Sequence, residues 1–213
     1  MDRVNKYKQI PAMTPSVVHN YLRQIGMDYK GKGCVVELGS WLGATAAPLL
    51  EGLNVAGYRK PFYAYDRWEV NREQVEQAQL FGYDLNKVED SSSIFLENVS
   101  KEYDNVKMFK GEITTTIKNY DGGKIEICLF DAPKKNPVFD FSIKTLLPHF
   151  IPGVTIFGLL DFYFYKQKTG RLRQELKAPV KFIETYKKHF TRLAEWPQEC
   201  SCVFFRYEKE IKL

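Results

Sequence analysis

The sequence predicts an α/β protein with a doubly wound sheet of seven strands, mostly parallel, closed by an antiparallel C-terminal hairpin. The first observation is an apolar strand, Cys34–Leu38, that runs into a glycine turn and a helix start. The second is another apolar strand, Phe62–Asp66, one βα unit later, a layout typical of mononucleotide-binding halves. The third is the short link between residues 192–196 and 201–207, which suits an antiparallel pair and not a parallel crossover.

Length and composition favour one globular domain spanning residues 1–213, since 44% of the chain is hydrophobic. Residues 1–32 are expected to form a helical cap, and residues 67–105 a lid-like helical insertion. The four cysteines lack the paired spacing of a zinc site, which favours reduced thiols. No apolar signal segment opens the chain, and prolines interrupt its most apolar stretch. We therefore expect a cytoplasmic protein with no membrane span.

The first two helices are predicted from residues that are typical of helix ends. Thr14 and Pro15 suit the N-cap and the first helical position, and an apolar stripe follows until Gly26, a candidate stop. The helix after the glycine turn is expected to begin near Thr45 and to end near Gly52.

The later elements follow from apolar runs and turn residues. Helices are expected at residues 72–80 and 93–103, and strands at 106–109, 125–130 and 154–160. Between the fifth strand and the hairpin, apolar residues at near-helical spacing, broken by Pro179, predict two helical pieces.

Acidic residues stand at or close to the carboxyl ends of five predicted strands: Glu37, Asp66, Glu112, Asp131 and Asp161. In open α/β sheets, ligands bind outside the carboxyl ends of the strands. One strand-end acid is often only a helix cap, but five are more than composition predicts. We expect them to converge on a functional site.

The glycine spacing decides between nucleotide cofactors. A dinucleotide fingerprint needs G-x-G-x-x-G, so that a helix N-terminus can hold a pyrophosphate. Here Gly39 and Gly43 are separated by three residues, and Glu37 lies two residues ahead of the turn. A carboxylate at that position would repel a pyrophosphate but would pair with an ammonium group. The pattern favours an amino-acid nucleoside over NAD.

The run at residues 36–43 resembles motif I of class I S-adenosylmethionine-dependent methyltransferases. Phe62–Asp66 is similar to their second motif, and residues 110–112 to the acidic motif after their third strand. The resemblance covers roughly residues 33–207 and implies a Rossmann-like fold with S-adenosylmethionine as cofactor. It says little about the methyl acceptor.

The resemblance also implies roles for single residues. The methionine and ribose end of the cofactor would be bound by the glycine turn and the acid before it: Gly39, Ser40, Gly43 and Glu37. Asp66 would bind the ribose hydroxyls. Arg67 or Trp68 would flank the adenine, with Glu112 near its amino group.

The segment after the fourth strand is similar to the D-A-D-K-x-N signature of catechol-type O-methyltransferases and to the macrocin O-methyltransferase group. That resemblance implies that Asp131 and Asp161 bind Mg²⁺ and that Lys134 is the general base. Two departures weaken the metal site: Pro133 replaces the middle acid, and Phe162 replaces an expected Asn ligand. Without a metal, Asp131 or Asp161 would act as base or orient the acceptor hydroxyl.

These observations predict O-methylation of a small-molecule acceptor: a sugar, a natural product or a phosphorylated metabolite. They allow a homodimer. Two alternatives stay open. Residues 166–192 carry nine basic and two acidic residues. They suit a solvated helix face better than a surface for an anionic substrate, either a phosphorylated molecule or, as one alternative, the nucleic acid bound by a nucleic-acid methyltransferase. The other alternative is a non-catalytic nucleoside-binding module.

Overall fold

The structure is a computed structural model that describes residues 9–212, so residues 1–8 of the expected helical cap lie outside it. Seven strands form one sheet: β1 (Cys34–Leu38), β2 (Phe62–Asp66), β3 (Val106–Lys110), β4 (Ile125–Phe130), β5 (Ile156–Leu159), β6 (Phe190–Trp196) and β7 (Cys202–Tyr207). Their order across the sheet is β3-β2-β1-β4-β5-β7-β6. β7 runs antiparallel to both of its neighbours, and the other neighbouring pairs are parallel. The predicted sheet and its closing hairpin are confirmed.

Helices cover both faces of this sheet. In the described part of the chain they are α1 (Ser16–Met27), α2 (Ala46–Val55), α3 (Arg72–Gln79), α4 (Ser92–Ser100), α5 (Ile113–Thr116), α6 (Val138–Leu146), α7 (Gly170–Glu175) and α8 (Ala178–Thr185). Among residues 9–212, none of these helices has the length and apolar character needed to cross a membrane.

Successive side chains along each strand point to opposite faces of the sheet, and each face has its own hydrophobic core. In β1, Val35 belongs to the core beneath α1, α2 and α4, whereas its neighbour Val36 belongs to the core beneath α6 and α8. Both valines are fully buried, as is typical of a parallel strand covered on both faces. This arrangement leaves the carboxyl edge of β1, β2, β4 and β5 as the place where loops meet.

The glycines expected to end the first two helices instead allow α1 and α2 to cross closely. Gly26 lies inside α1 and Gly52 inside α2. A Cβ atom on Gly52 would come within 2.1 Å of the carbonyl oxygen of Arg23, and one on Gly26 within 2.5 Å of that of Leu49. α1 ends at Met27 and α2 at Val55, one and three residues after the predicted stops. The glycines do not cause these ends, and the sequence could not show this because a glycine at a helix crossing and a terminal glycine are alike in sequence.

Other helix ends also differ from the prediction. Pro15, not Thr14, occupies the N-cap of α1, and the Thr14 hydroxyl lies 2.9 Å from Nε2 of His19. α4 ends at Ser100, three residues early. α3 begins with a capping box between Asn71 and Gln74 that the sequence analysis missed.

The helix crossing gives a stability test. Gly52→Ala should lower the free energy of unfolding by about 3 kcal/mol, because the added methyl group collides with backbone that has no room to move. Urea denaturation followed by circular dichroism would measure this loss. Asn54→Ala, on the exposed side of the same helix, is the matched control and should not destabilise the fold. Equal stability of the Gly52→Ala protein and its parent would contradict the close crossing.

Candidate active site

The glycine turn after β1 is held against the ends of both neighbouring strands. The backbone N–H of Gly39 donates to the carbonyl of Tyr65 at the end of β2, at 2.7 Å. Gly39 has φ +95°, and a Cβ atom there would come within 2.5 Å of the backbone nitrogen of Ala132, beyond β4. Gly43 has φ +90° and faces Val99 of α4. Both glycines are therefore required by backbone conformation as well as by space.

Asp66 fixes the middle of this turn. One carboxylate oxygen accepts the backbone N–H of Trp41 at 2.8 Å, and the other accepts the backbone N–H of Trp68 at 2.7 Å. The indole Nε1 of Trp68 then donates to the carbonyl of Trp41 at 2.9 Å. Both tryptophans have a positive φ, a backbone conformation that residues other than glycine rarely adopt. These hydrogen bonds therefore hold a strained turn in place.

The same turn carries buried polar atoms that lack a hydrogen-bond partner. Glu37 is completely buried, and only one of its carboxylate oxygens has a partner, the Thr45 hydroxyl at 2.7 Å. Within residues 9–212 the other oxygen forms no hydrogen bond of normal geometry, and the same is true of the Ser40 hydroxyl and the Trp41 indole nitrogen. Burial raises the pKa of Glu37 to about 7, against the opposing effects of the Thr45 hydroxyl and of the nearby Ser40 hydroxyl. Such a group of unsatisfied atoms fits a polar ligand.

Three residues expected to hold the base end of a nucleoside lie in different surroundings. Arg67 and Glu112 are more than half exposed and form a loose ion pair at 3.5 Å across the ends of β2 and β3. Trp68 has no exposed surface, and its ring packs 5.2 Å from that of Phe95. The fully covered Trp68 ring contradicts the expectation that it flanks an adenine, because the insertion packs over it.

The acids after β4 and β5 meet around one lysine. Backbone bonds from Asp131 and Ala132 to the carbonyl of Leu38 hold the end of β4 beside the glycine turn. Lys134 reaches across and donates to Asp161 at 2.5 Å. Asp131 lies beside this ion pair, and the charges of both partners act on it.

The charges of this cluster determine its protonation. Burial, and after it the charge of Asp161, raise the pKa of Asp131, while Lys134 opposes both, and the net pKa is about 8. Burial by itself would lower the pKa of Lys134, but the two acids outweigh it and the net change is upward. Lys134 therefore stays charged near neutral pH, while Asp131 can exchange a proton there.

Glu37 and Asp66 also act on Asp131, and both raise its pKa. Four of the five strand-end acids thus converge, as the sequence analysis expected. Glu112, the fifth, lies outward on the rim, 65% exposed.

The residues at this position do not fit a Mg²⁺ ion. Within residues 9–212 no group of three His, Cys, Asp or Glu side chains is placed to hold a metal. Asp161 is already bound to an ammonium group, and Phe162, at the place of the expected Asn, is buried and apolar. Mg²⁺ needs close to six oxygen ligands, and two acids that share a lysine do not supply them.

Sequence reasoning missed the contacts that build the turn. The roles of Trp41 and Trp68 were not foreseen, because they rest on a contact between residues 27 apart in the chain. The role of Thr45 was not foreseen either, because its contact with Glu37 depends on the shape of the turn between them. The only sequence signal was the presence of Trp, unusual within a tight glycine turn.

The turn yields a second stability test. Trp68→Phe should cost about 1–3 kcal/mol, since it leaves the carbonyl of Trp41 without its donor. Urea denaturation would measure this cost. Trp196→Phe is the matched control, because Trp196 lies in β6 far along the sheet and is only half-buried. Equal losses in the two proteins would show that the indole hydrogen bond contributes nothing specific.

No family model and no curated protein matches the chain. Solved structures do match, among them the O-methyltransferase NovP, with a TM-score of 0.61, 13% identity, and coverage of 97% of this chain and 80% of that one. The methyltransferase PaMTH1 of Podospora anserina, solved with SAH bound, has a TM-score of 0.57 and 15% identity over 92% and 80% of the chains. The TDP-rhamnose 3'-O-methyltransferase CalS11 has a TM-score of 0.56 and 10% identity over 91% and 78%. This chain has the fold of class I methyltransferases.

Proposed function

We propose that this protein is an S-adenosylmethionine-dependent methyltransferase that acts on a hydroxyl group of a small molecule. The observation that carries the proposal is the set of buried, unpartnered polar atoms on the glycine turn, those of Glu37, Ser40 and Trp41. They lie at the carboxyl edge of the sheet beside the switch in strand order between β1 and β4, the position at which ligands bind in open α/β sheets.

The residues of the turn fit the cofactor by their chemistry. The free carboxylate oxygen of Glu37 is suited to accept hydrogen bonds from the amino group of the methionine part. Asp66 has one lone pair spare on each oxygen for ribose hydroxyls, besides those that accept from Trp41 and Trp68. Gly39, Ser40 and Gly43 would line the approach, and Arg67 with Glu112 would border the base. When bound, S-adenosylmethionine supplies a methyl group on a positively charged sulfur.

We assign Trp68 a positioning role. It is buried and acts through Trp41, so we propose that it shapes the turn without contacting the cofactor.

Asp131 is the group best suited to take the proton from the acceptor hydroxyl. A carboxylate with a pKa of about 8 is a stronger base than an ordinary one and still titrates near neutral pH. Lys134 is unsuited to this role because its pKa is raised. We propose that the Lys134–Asp161 pair orients the acceptor hydroxyl towards Asp131.

The acceptor is proposed to be a sugar or a natural product. CalS11 methylates a nucleotide-linked sugar, as its name states, and shares this fold, which makes such a hydroxyl a reasonable first test. The fold by itself does not select the acceptor. A homodimer remains a prediction.

Glu37→Gln tests the cofactor site. The substitution keeps the size of the side chain but removes the charge that Glu37 carries above its pKa of about 7, so at pH 8 the affinity for S-adenosylmethionine should fall by about 10-fold or more. Isothermal titration calorimetry would measure this change. Glu97→Gln, on the exposed face of α4, is the matched control and should bind as the parent does. Unchanged affinity of the Glu37→Gln protein would remove Glu37 from the site.

The pH profile tests the base. Asp131 is protonated below its pKa and cannot accept a proton, so kcat/KM should rise about tenfold per pH unit below 8 and level off above it. Asp131→Asn should abolish both the activity and this rise, while binding of S-adenosylmethionine persists. A flat profile from pH 6 to 9 would argue against Asp131 as the base.

Chelation tests the absence of a metal step. Because an ammonium group already occupies Asp161, activity should survive dialysis against EDTA without loss. Assays with and without added Mg²⁺ would check this. Loss of activity that Mg²⁺ restores would contradict the assignment.

A further inference from the structure

Cationic side chains lie close to the rings of the aromatic residues that follow Asp161. Lys166 lies 4.5 Å from the centroid of the Tyr163 ring. Lys134 and Lys168 lie 5.4 and 4.6 Å from that of Phe164. The cations nearest the Tyr165 ring are Arg173 at 6.0 Å and Lys177 at 5.7 Å. We call Tyr163, Phe164 and Tyr165, with Lys166, Lys168, Arg173 and Lys177, the cationic wall.

Among the described residues, the cations of this wall (Lys166, Lys168, Arg173 and Lys177) form no ion pair with an acidic side chain, although the charge of Lys166 helps to lower the pKa of Glu195. By contrast, Arg171, which lies with Arg173 in α7, forms an ion pair with Glu175 at 2.8 Å. Two cations lie near the Tyr165 ring, and like charges repel each other. An anion bound between them would relieve this repulsion.

The wall adjoins the proposed reaction centre. Lys134 and Lys168 both lie against the Phe164 ring, so their ammonium groups can be no more than about 10 Å apart. Lys134 is the residue that binds Asp161. An anion held at Lys168 would therefore lie within about 10 Å of the Lys134–Asp161 pair, next to the place proposed for the acceptor hydroxyl.

The wall is anchored on both sides. The Tyr163 hydroxyl donates to Glu195 of β6, and Arg192 donates to the same carboxylate at 3.0 Å. The backbone N–H of Tyr163 donates to the carbonyl of Ser201, and that of Phe164 to the carbonyl of Asp161. The rings are thus fixed relative to the sheet before any ligand binds, which lowers the entropic cost of binding.

We propose that the cationic wall binds a phosphoryl or diphosphoryl group of the methyl acceptor, so that the substrate is a phosphorylated hydroxyl compound. The inference rests on the proposed methyltransferase function. Lysine and arginine are the side chains that bind phosphate, and half-exposed rings beside them suit the flat or apolar part of such an acceptor. A nucleic acid fits less well, because the wall spans only one short segment beside the reaction centre.

Titration with inorganic pyrophosphate tests the wall. The protein is first saturated with S-adenosylhomocysteine, the binding of which is measured separately. Lys168→Gln and Arg173→Gln should each weaken pyrophosphate binding by about 5-fold or more, and binding should weaken as ionic strength rises. Arg171→Gln is the matched control: it removes one positive charge from the same helix, at a residue already paired, and should change the affinity by less than about 2-fold.

Each other outcome overturns the inference. If the parent protein does not bind pyrophosphate, or if Arg171→Gln weakens binding as much as the wall variants do, the wall is no phosphate site. If a 20-nucleotide single-stranded RNA binds more tightly than pyrophosphate and Lys168→Gln abolishes that binding, the wall is a nucleic-acid surface.

The measurement with S-adenosylhomocysteine distinguishes a failure of this inference from a failure of the proposed methyltransferase function. Binding of S-adenosylhomocysteine without binding of pyrophosphate refutes the wall and leaves the proposed methyltransferase intact. Binding of pyrophosphate without binding of S-adenosylhomocysteine refutes the methyltransferase, and with it the assignment of the anion to a methyl acceptor.

Discussion

The Asp66 carboxylate is the contact on which the candidate site depends. It accepts hydrogen bonds from the backbone N–H groups of Trp41 and Trp68, and so joins the turn after β1 to the end of β2. Left-handed backbone costs about 1–2 kcal/mol at a residue with a side chain, and both tryptophans adopt it here. Without these bonds the turn would relax. The unpartnered atoms of Glu37 and Ser40 would then lose their common position.

A second constraint is the balance of charge at the edge of the sheet. Four acids converge there, and Lys134 is the cation that offsets them most directly. The ammonium group lies between carboxylates in the region where the catechol-type signature would suggest a metal. Pro133 and Phe162, the two departures from that signature, fit this arrangement because neither offers a metal ligand. The chain therefore keeps the fold, while its residues at this position differ from the metal-binding signature.

The sequence was sufficient for the sheet, because strands buried on both faces read as apolar runs and acids mark their ends. It was also sufficient to predict that four of the strand-end acids meet, although the fifth, Glu112, lies on the rim. It was insufficient at Gly26 and Gly52, where the reason for glycine is a neighbouring helix. It was insufficient again at Trp68 and Lys134, whose places depend on contacts with Trp41 and with Asp161, far away in the chain. Local pattern predicts elements well and contacts between distant residues poorly.

The central claim is that the glycine turn binds an amino-acid nucleoside and not a dinucleotide. Isothermal titration calorimetry of the unmodified protein, once with S-adenosylmethionine and once with NAD, tests it most directly. The account predicts one S-adenosylmethionine bound per chain and no heat of binding with NAD. Binding of NAD in preference to S-adenosylmethionine, or no binding of S-adenosylmethionine at all, would contradict it.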